Sequence, residues 1–587
     1  SAFLSSESSV SQGGDAAFRT SSLNCFGAAL KAAQLALSDI GGKVFAMSTN
    51  LCQIGVGKLE RRGGVSAASI GSEERECELL KASSDFYDKL GAEFTEAYSS
   101  VDIFLLPTSG SQVDAATVMR TARACGGHTY LFSDFQAWRD ADTFARSLVR
   151  SVTSVRAFDA MIRVRVSAGL ECSEYIGHYG RPRSGHEIIA PVMNKDSCLS
   201  IMLSHEGDLT AEQERSNNVR RGNASGVDLT TLPCVQVAVL YTDPSGQRRI
   251  RVHSSFLTVS TSLADIFKVA DVDCVLSLLA KRSAQAALFG GLGISKARDA
   301  FIGKSVHALF VYRKYCAASS STVQLILPDA LKVLPVSVLG LAKSVAFRNL
   351  SSANAYGFGI DDRAASLFQI GWASPSTISA LAYPRVYLLD SLPENAGDHF
   401  EPNQSLYGSD QEQLAIVRES EPVAIPNSVS AATESIAPSS LVFVDRGTEL
   451  ALIVSPQISP ELAQDALITL NPHPDQSNQQ PRLLIRGTIS APGEAPKSEL
   501  GERMTKIVER ILERRPSVCS IRVFFKGEPE SADASIYQPL LVEDKGGGFG
   551  LGYLEFLRYV HRKIMDQYSK DSVLKELLMW DKLEQGY

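Results

Sequence analysis

The chain has 587 residues, of which 44% are hydrophobic and 21% charged, with a formal net charge of −7. That length accommodates roughly three to five domains of about 100–200 residues, with enough apolar mass for several cores. The acidic balance argues against a nucleic-acid partner, which calls for a basic excess, and leaves room for one basic face. Residues 1–22 are polar and Ser/Gly-rich and read as a loop. Helical apolar spacing follows over 24–40, with Asn24 as N-cap, and Gly41-Gly42 precedes a buried strand over 43–47. The unit recurs: helix 74–98 and strand 101–106, then helix 114–125, Gly126-Gly127 and strand 128–132, then helix 135–153. Helix–Gly–strand alternation predicts a doubly wound parallel α/β sheet, here with three strands.

From Arg156 the period changes to two. Residues 160–166, 234–241 and 248–257 read as antiparallel strands of a sandwich or barrel. Residues 262–374 are helical, with spacing that places helices at 264–280, 283–290, 295–316 and 328–347, the last kinked at Pro335. A mixed region opens at 383–389. A hairpin is expected at 441–445 and 450–454 around Arg446-Gly447, helices at 459–470 and 499–514, and a strand at 518–525. Two low-complexity inserts, 393–437 and 471–496, lie within it. A glycine-rich loop at 546–552 precedes an amphipathic helix over 553–568.

The chemistry-bearing motifs are sparse. The ten cysteines contain no CxxC or CxxxxC pair, which reads as a reduced, cytosolic thiol set and gives no metal site in this chain. No run reaches the ~18–20 apolar residues of a membrane span, and the Ser-rich start lacks the apolar core of a signal peptide. There is no GxSxG, HExxH or GxxxxGK[ST] motif, so no catalytic residue is assigned and a binding protein, not an enzyme, is expected. The nine histidines lack ligand spacing, and His128, at the start of a strand, reads as structural. The informative pair is Arg163 and Arg165. At i and i+2 of a strand they share one face, about 6–7 Å apart. Two carboxylates of an acidic peptide satisfy such a pair by charge-assisted bonds. From spacing alone a solvated strand face is the commoner arrangement. Arg181 and Arg183 follow in one loop, and Arg248, Arg249 and Arg251 form a second basic run that reads as a solvated or membrane-facing surface.

Several ordered stretches resemble one family. They include GAALKAAQLAL and GGKVFAMSTN (27–50), IGVGKLERR (54–62), VDIFLLP (101–107), CGGHTYLF (125–132), MIRVRVSAGL with YIGHYG (161–180) and VQVAVLYTDPSGQRRIRVHSSFL (235–257). LKVLPVSVLGLAKSVAFR (331–348), YPRVYLLDSL (383–392), LVFVDRGTELALIV (441–454) and LLVEDKGGGFGLGYLEFL (540–557) continue the set. Through these the chain resembles the cargo-binding subunits of the inner COPII vesicle coat. The resemblance implies a multidomain fold: a von Willebrand A-type α/β trunk (1–154), a β-barrel (155–260), an all-α domain (261–380), a gelsolin-like domain carrying the inserts (381–548) and C-terminal helices (549–587).

The resemblance also implies a function: selection of cargo for vesicles travelling from the endoplasmic reticulum to the Golgi, on the cytoplasmic face of the membrane. The partners it implies are a GTPase-activating coat subunit, a small coat GTPase, cargo and SNARE tails and an acidic membrane surface. Its acidic-signal pocket falls on Arg163, Arg165 and Leu240. The position of a third pocket arginine is held here by Pro182, flanked by Arg181 and Arg183. No cofactor is expected in this chain, because the family's zinc lies in an N-terminal ribbon that this sequence lacks, together with the first half of the trunk. Two alternatives remain open. One is the paralogous coat subunit that activates the GTPase, and the other an actin or adhesion protein built on similar modules.

Overall fold

Three parallel strands, β1 (Gly42–Ser48), β2 (Ser99–Leu105) and β3 (Thr129–Leu131), pair in that order. The computed structural model describes residues 23–62, 71–108, 111–180, 187–206, 209, 232–317, 324–349, 359–398, 423–470, 482–485, 498–513, 521–526, 537–546 and 549–570. The helices of this first unit are α1 (Phe26–Leu37), α2 (Glu73–Leu80), α3 (Phe86–Glu96), α4 (Ala115–Val118), α5 (Arg120–Ala124) and α6 (Ala137–Thr153). Strand β2 is buried along its whole length, and its alternate side chains enter two different cores. Val101, Ile103 and Leu105 join the large core with α1, α3 and α5, while Phe104 packs with Tyr130 and with Phe144 of α6. The helix expected over 74–98 is two helices. Its break is fixed by Ser83, whose N–H donates to Thr117 Oγ1 at 2.9 Å, and by the Ser84 hydroxyl, which accepts from Phe86 N.

The second unit corrects one expectation. Strands β4 (Val155–Val166), β5 (Leu170–Ile176), β6 (Ile188–Asn194), β7 (Ser200–His205), β8 (Cys234–Thr242) and β9 (Arg248–Phe256) form two separate antiparallel sheets, not a closed β-barrel. One sheet has the order β6-β4-β8-β9 and the other pairs β5 with β7. Closure needs a last strand bonded to the first. Among the described residues β6 and β9 remain opposite edges, and the inward side chains Ile162, Ile188 and Ala190 pack with Tyr175 of the small sheet as a sandwich. Strands β5, β6 and β7 were not expected from the sequence.

A buried polar cluster fixes this sandwich on the first unit. Asp102, at the centre of β2, is fully buried and pairs with Lys43 Nζ at 2.7 Å. It accepts from His128 N at 2.8 Å and from the Ser151 hydroxyl. Lys43 also reaches Asn194 Oδ1 at 3.3 Å, and Asn194 meets His128 Nδ1 at the same distance. The His128 ring stacks on Trp372 at 4.2 Å, and burial pushes its pKa down to about 4. The imidazole is therefore neutral and structural.

The helical layer comprises α7 (Leu263–Lys268), α8 (Val272–Leu288), α9 (Ile294–Tyr315), α10 (Leu334–Ala342), α11 (Ile360–Trp372) and α12 (Pro375–Ala382). Residues 272–288 form one helix where two were expected. It starts at Asp271, whose carboxylate accepts from Asp273 N and Cys274 N. Pro335 does not kink a helix; it occupies the first turn of α10, where its missing N–H is not needed.

Beyond it, β10 (Arg385–Leu388), β11 (Leu441–Asp445), β12 (Leu450–Val454) and a fourth strand over 521–525 form a mixed sheet. Helix α13 (Thr433–Ile436) lies beside it, and α14 (Pro460–Ala466) gives way to β13 (Leu467–Leu470), where the helix was expected to continue. Strand β13 pairs with β14 (Arg482–Ile485), which falls inside the second expected insert. Then come α15 (Glu499–Glu513), the fourth strand of the mixed sheet, β15 (Ile521–Phe525), and α16 (Tyr553–Lys570). Residues 399–422 of the first insert and most of the second lie outside the described residues.

The β11–β12 turn docks this sheet on the helical layer. Gly447 has φ +76, and a Cβ there would stand 2.9 Å from Thr377 O. Arg446, fully buried, donates to Leu381 O (3.0 Å), Pro539 O (3.2 Å) and Gly340 O (2.9 Å). Lys343, the residue that caps the C-terminus of α10, plays the same part, donating to Val542 O and Asp544 O. Phe556, Val560 and Ile564 of α16 join the same large core as the helical layer.

Candidate cargo-signal face

Strand β4 carries a bulge between Phe158 and Met161, with Asp159 at φ +46. Past it the pleat is regular. Ile162 points into the sandwich, and Met161, Arg163 and Arg165 point outward. Strand β8 runs antiparallel beside it, so Met161 lies opposite Leu240, Arg163 opposite Ala238 and Arg165 opposite Gln236. Strand β9 extends the rows: Leu240 pairs with Ile250, Ala238 with Val252 and Gln236 with Ser254.

The outward face is therefore a graded grid. One row is apolar (Met161, Leu240, Ile250), the next is Arg163, Ala238 and Val252, and the third is Arg165, Gln236 and Ser254. Ile250 is 71% exposed and Val252 51%, so water-facing apolar surface stands beside the two guanidinium groups. The structure brings Arg163, Arg165 and Leu240 together on one face. Arg181 and Arg183 lie outside the described residues; the described ends of their segment, Gly180 and Glu187, flank the start of β6, where Gly180 exchanges both backbone bonds with Ile189.

The two arginines are lightly held. Arg163 Nη1 is 3.6 Å from Glu187 Oε1, with both side chains well exposed. Arg165 Nη1 donates to the neutral Gln236 Oε1 at 3.5 Å, and Gln236 in turn donates to Ser254 Oγ at 3.2 Å. The other basic run behaves differently: Arg248 is bound by Asp159 at 2.6 Å and Arg249 by Asp243 at 2.7 Å. Hydrogen bonds from Ser245, with Arg249 nearby, hold the Asp243 carboxyl below its usual range.

Glu187, Gln236, Ile250 and Val252 were missed as parts of this face. Ile250 and Val252 alternate with Arg249 and Arg251, a period-two signal overshadowed by the charges. Among the described residues no group of three or more His, Cys, Asp or Glu side chains converges on a metal-sized site, and no helix is long and apolar enough to cross a membrane.

Three family models match consecutive segments: the Sec23/Sec24 trunk domain at 15–152, the Sec23/Sec24 beta-sandwich domain at 157–260 and the Sec23/Sec24 helical domain at 271–379. The chain belongs to the Sec23/Sec24 family. Its sandwich is the family's beta-sandwich, in keeping with the two open sheets. Among relatives, the protein transport protein SEC24 B of Arabidopsis thaliana is 28% identical over 546 residues, covering 92% of this chain and 43% of the relative. The protein transport protein SEC24 of Podospora anserina is 26% identical over 548 residues, covering 92% and 52% respectively. The chain thus spans about half the length of the curated relatives it matches. The crystal structure of the human COPII-coat protein Sec24c shares the fold, with a TM-score of 0.72 at 22% identity, over 92% of this chain and 64% of that one.

Proposed function

We propose that this Sec23/Sec24-family chain is a Sec24-type coat subunit that binds acidic sorting signals in cargo tails for transport from the endoplasmic reticulum to the Golgi. The observation that carries this reading is the grid on β4, β8 and β9. Arg163 and Arg165 receive two carboxylates, and an apolar signal residue packs on Leu240 with Ile250 beside it. Arg181 and Arg183, between Gly180 and Glu187 in the sequence, supply further cationic contacts. The relatives' names as SEC24 transport proteins and the Sec24c likeness support this subunit over the GTPase-activating paralogue.

On this reading the chain performs no turnover and needs no cofactor of its own. It works at the cytoplasmic face of the membrane beside a GTPase-activating coat subunit and a small coat GTPase. A charge-assisted hydrogen bond contributes about 1.5–3 kcal/mol when well shielded, and exposure reduces that to the lower end or below. Modest, salt-sensitive affinity follows, as suits cargo that must be released.

The test is a fluorescence-anisotropy titration of an acidic sorting peptide against the chain and against Arg163→Ala/Arg165→Ala. Loss of about tenfold or more in affinity is expected from removing two such bonds, and undiminished binding overturns the site. A GTP hydrolysis assay with the small coat GTPase checks the subunit assignment: strong stimulation by this chain alone contradicts it.

A further inference from the structure

Among the described residues, β9 is an edge of the four-stranded sheet β6-β4-β8-β9 and pairs with β8 alone. All nine of its residues are exposed, and Ile250, Val252 and Phe256 carry apolar surface into water. The opposite edge differs: β6 is largely buried, and its Ile189 exchanges both backbone bonds with Gly180. A long exposed edge with apolar side chains is a template for a further strand. The ladder shows which backbone groups are open. Beyond the two ends of β9, Asp243 N donates to Gln247 O and Leu257 N donates to Pro233 O. Bonding in an antiparallel pair alternates residue by residue. Arg249, Arg251, His253 and Ser255 therefore bond to β8, while Arg248, Ile250, Val252, Ser254 and Phe256 turn their backbone groups away from the sheet.

The charge pattern selects the strand that fits. A second copy of β9, related by a two-fold axis through Val252, overlaps all nine residues. In that register the open backbone groups of one copy meet those of the other. Val252 lies opposite Val252 of the second copy, and Ile250 opposite Ser254, so the apolar surface continues across the axis. On the other face Arg251 lies opposite His253 and Arg249 opposite Ser255, so no arginine opposes an arginine. A slide of two residues one way shortens the ladder and sets Arg251 against Arg251, which is destabilising. Arg248 and Arg249 are already paired with Asp159 and Asp243. We propose that two copies of this chain associate edge to edge through β9, joining their four-stranded sheets into one. The joined outward face then carries Arg163 and Arg165 of each copy on either side of one apolar centre.

Sedimentation equilibrium of the whole chain tests this. A single strand pair makes a small interface, so a dissociation constant of about 10–100 μM is expected. A chain that stays monomeric at about 300 μM overturns the proposal. Val252→Pro removes an N–H that the sheet does not use, a change an edge strand tolerates, and should weaken the dimer about tenfold or more. Val252→Lys sets two ammonium groups against each other at the axis and should do the same with the backbone unaltered. His253→Glu, opposite Arg251 twice in the dimer, should tighten it about threefold. Circular dichroism checks that each variant is folded; should Val252→Pro not fold, Val252→Lys decides. A dimer of unchanged affinity in folded Val252→Lys overturns the β9 contact, and a dimer weakened by His253→Glu overturns the register.

Discussion

The Glu187 carboxylate stands 3.6 Å from the Arg163 guanidinium, at the rim of the outward face of β4. Glu187 directly precedes β6, and it places on Arg163 the same chemical group that an acidic signal would bring. An exposed pair of this kind is worth about 0–1 kcal/mol. Glu187→Gln should therefore raise affinity for an acidic peptide by up to about fivefold, with the larger gain at low salt. Anisotropy at two salt concentrations checks this; unchanged or weaker binding argues that Glu187 does not compete.

Arg446 serves three carbonyls from three separate segments, Gly340, Leu381 and Pro539. Arg446→Met leaves those buried acceptors without a donor, at about 1–3 kcal/mol for the most exacting of them. The melting temperature of the transition that includes β11 and β12 should fall by several degrees. Arg446→Lys should recover only part of the loss, because an ammonium lacks the planar fork that reaches all three directions.

Asp361 accepts from Val113 N at 3.1 Å and Ala115 N at 2.8 Å, joining the helical layer to the first unit. Burial, opposed by those two bonds, pushes its pKa up from 3.8 to about 6. A folded-state value above the unfolded one means stability fully present below about pH 4 and lost as pH rises through about 6. The difference amounts to about 3 kcal/mol across that window. Asp361→Asn stays neutral and should lose this slope. Urea midpoints at pH 4.5 and 7 should thus diverge less in the variant than in the unmodified chain; equal slopes would falsify the assignment.

Lys43 and Asp102 form a buried pair at 2.7 Å beneath the sandwich. Lys43→Met alone strands a buried carboxylate and should cost about 3–5 kcal/mol. The double variant Lys43→Met/Asp102→Asn should recover much of that, since no uncompensated charge remains. A double variant as unstable as the single one points to lost packing instead of lost charge pairing.

Part of this architecture was legible in the sequence, and the rest was hidden for identifiable reasons. Val101-Asp-Ile-Phe-Leu-Leu106 reads as a buried strand because its apolar run is bounded by turn residues, and the Arg-x-Arg of β4 fixes both guanidinium groups on one face. Leu240 came from the resemblance, and the register with Met161 supplies the geometry. Period two identifies strands but not their pairing, so the open sandwich could not be told from a barrel. Strands β5 and β7 pair across a register shift between Cys172 and Glu174, which breaks the alternation. Leu467–Leu470 continues the apolar spacing of α14 and so reads as helix until its partner strand is seen. Buried charges such as Lys281, Lys343 and Arg446 look in sequence like any surface cation; only tertiary packing shows what they hold.

A face that reads negative charge in a cargo tail through Arg163 and Arg165 should exchange its preference when its own charge is exchanged. Arg163→Glu/Arg165→Glu should lose the acidic peptide by about a hundredfold, and should gain binding to the same peptide with its acids replaced by lysine, to which the unmodified chain stays blind. Retained binding of the acidic peptide by the exchanged face, with no gain for the lysine peptide, would show that Arg163 and Arg165 do not read the signal's charge.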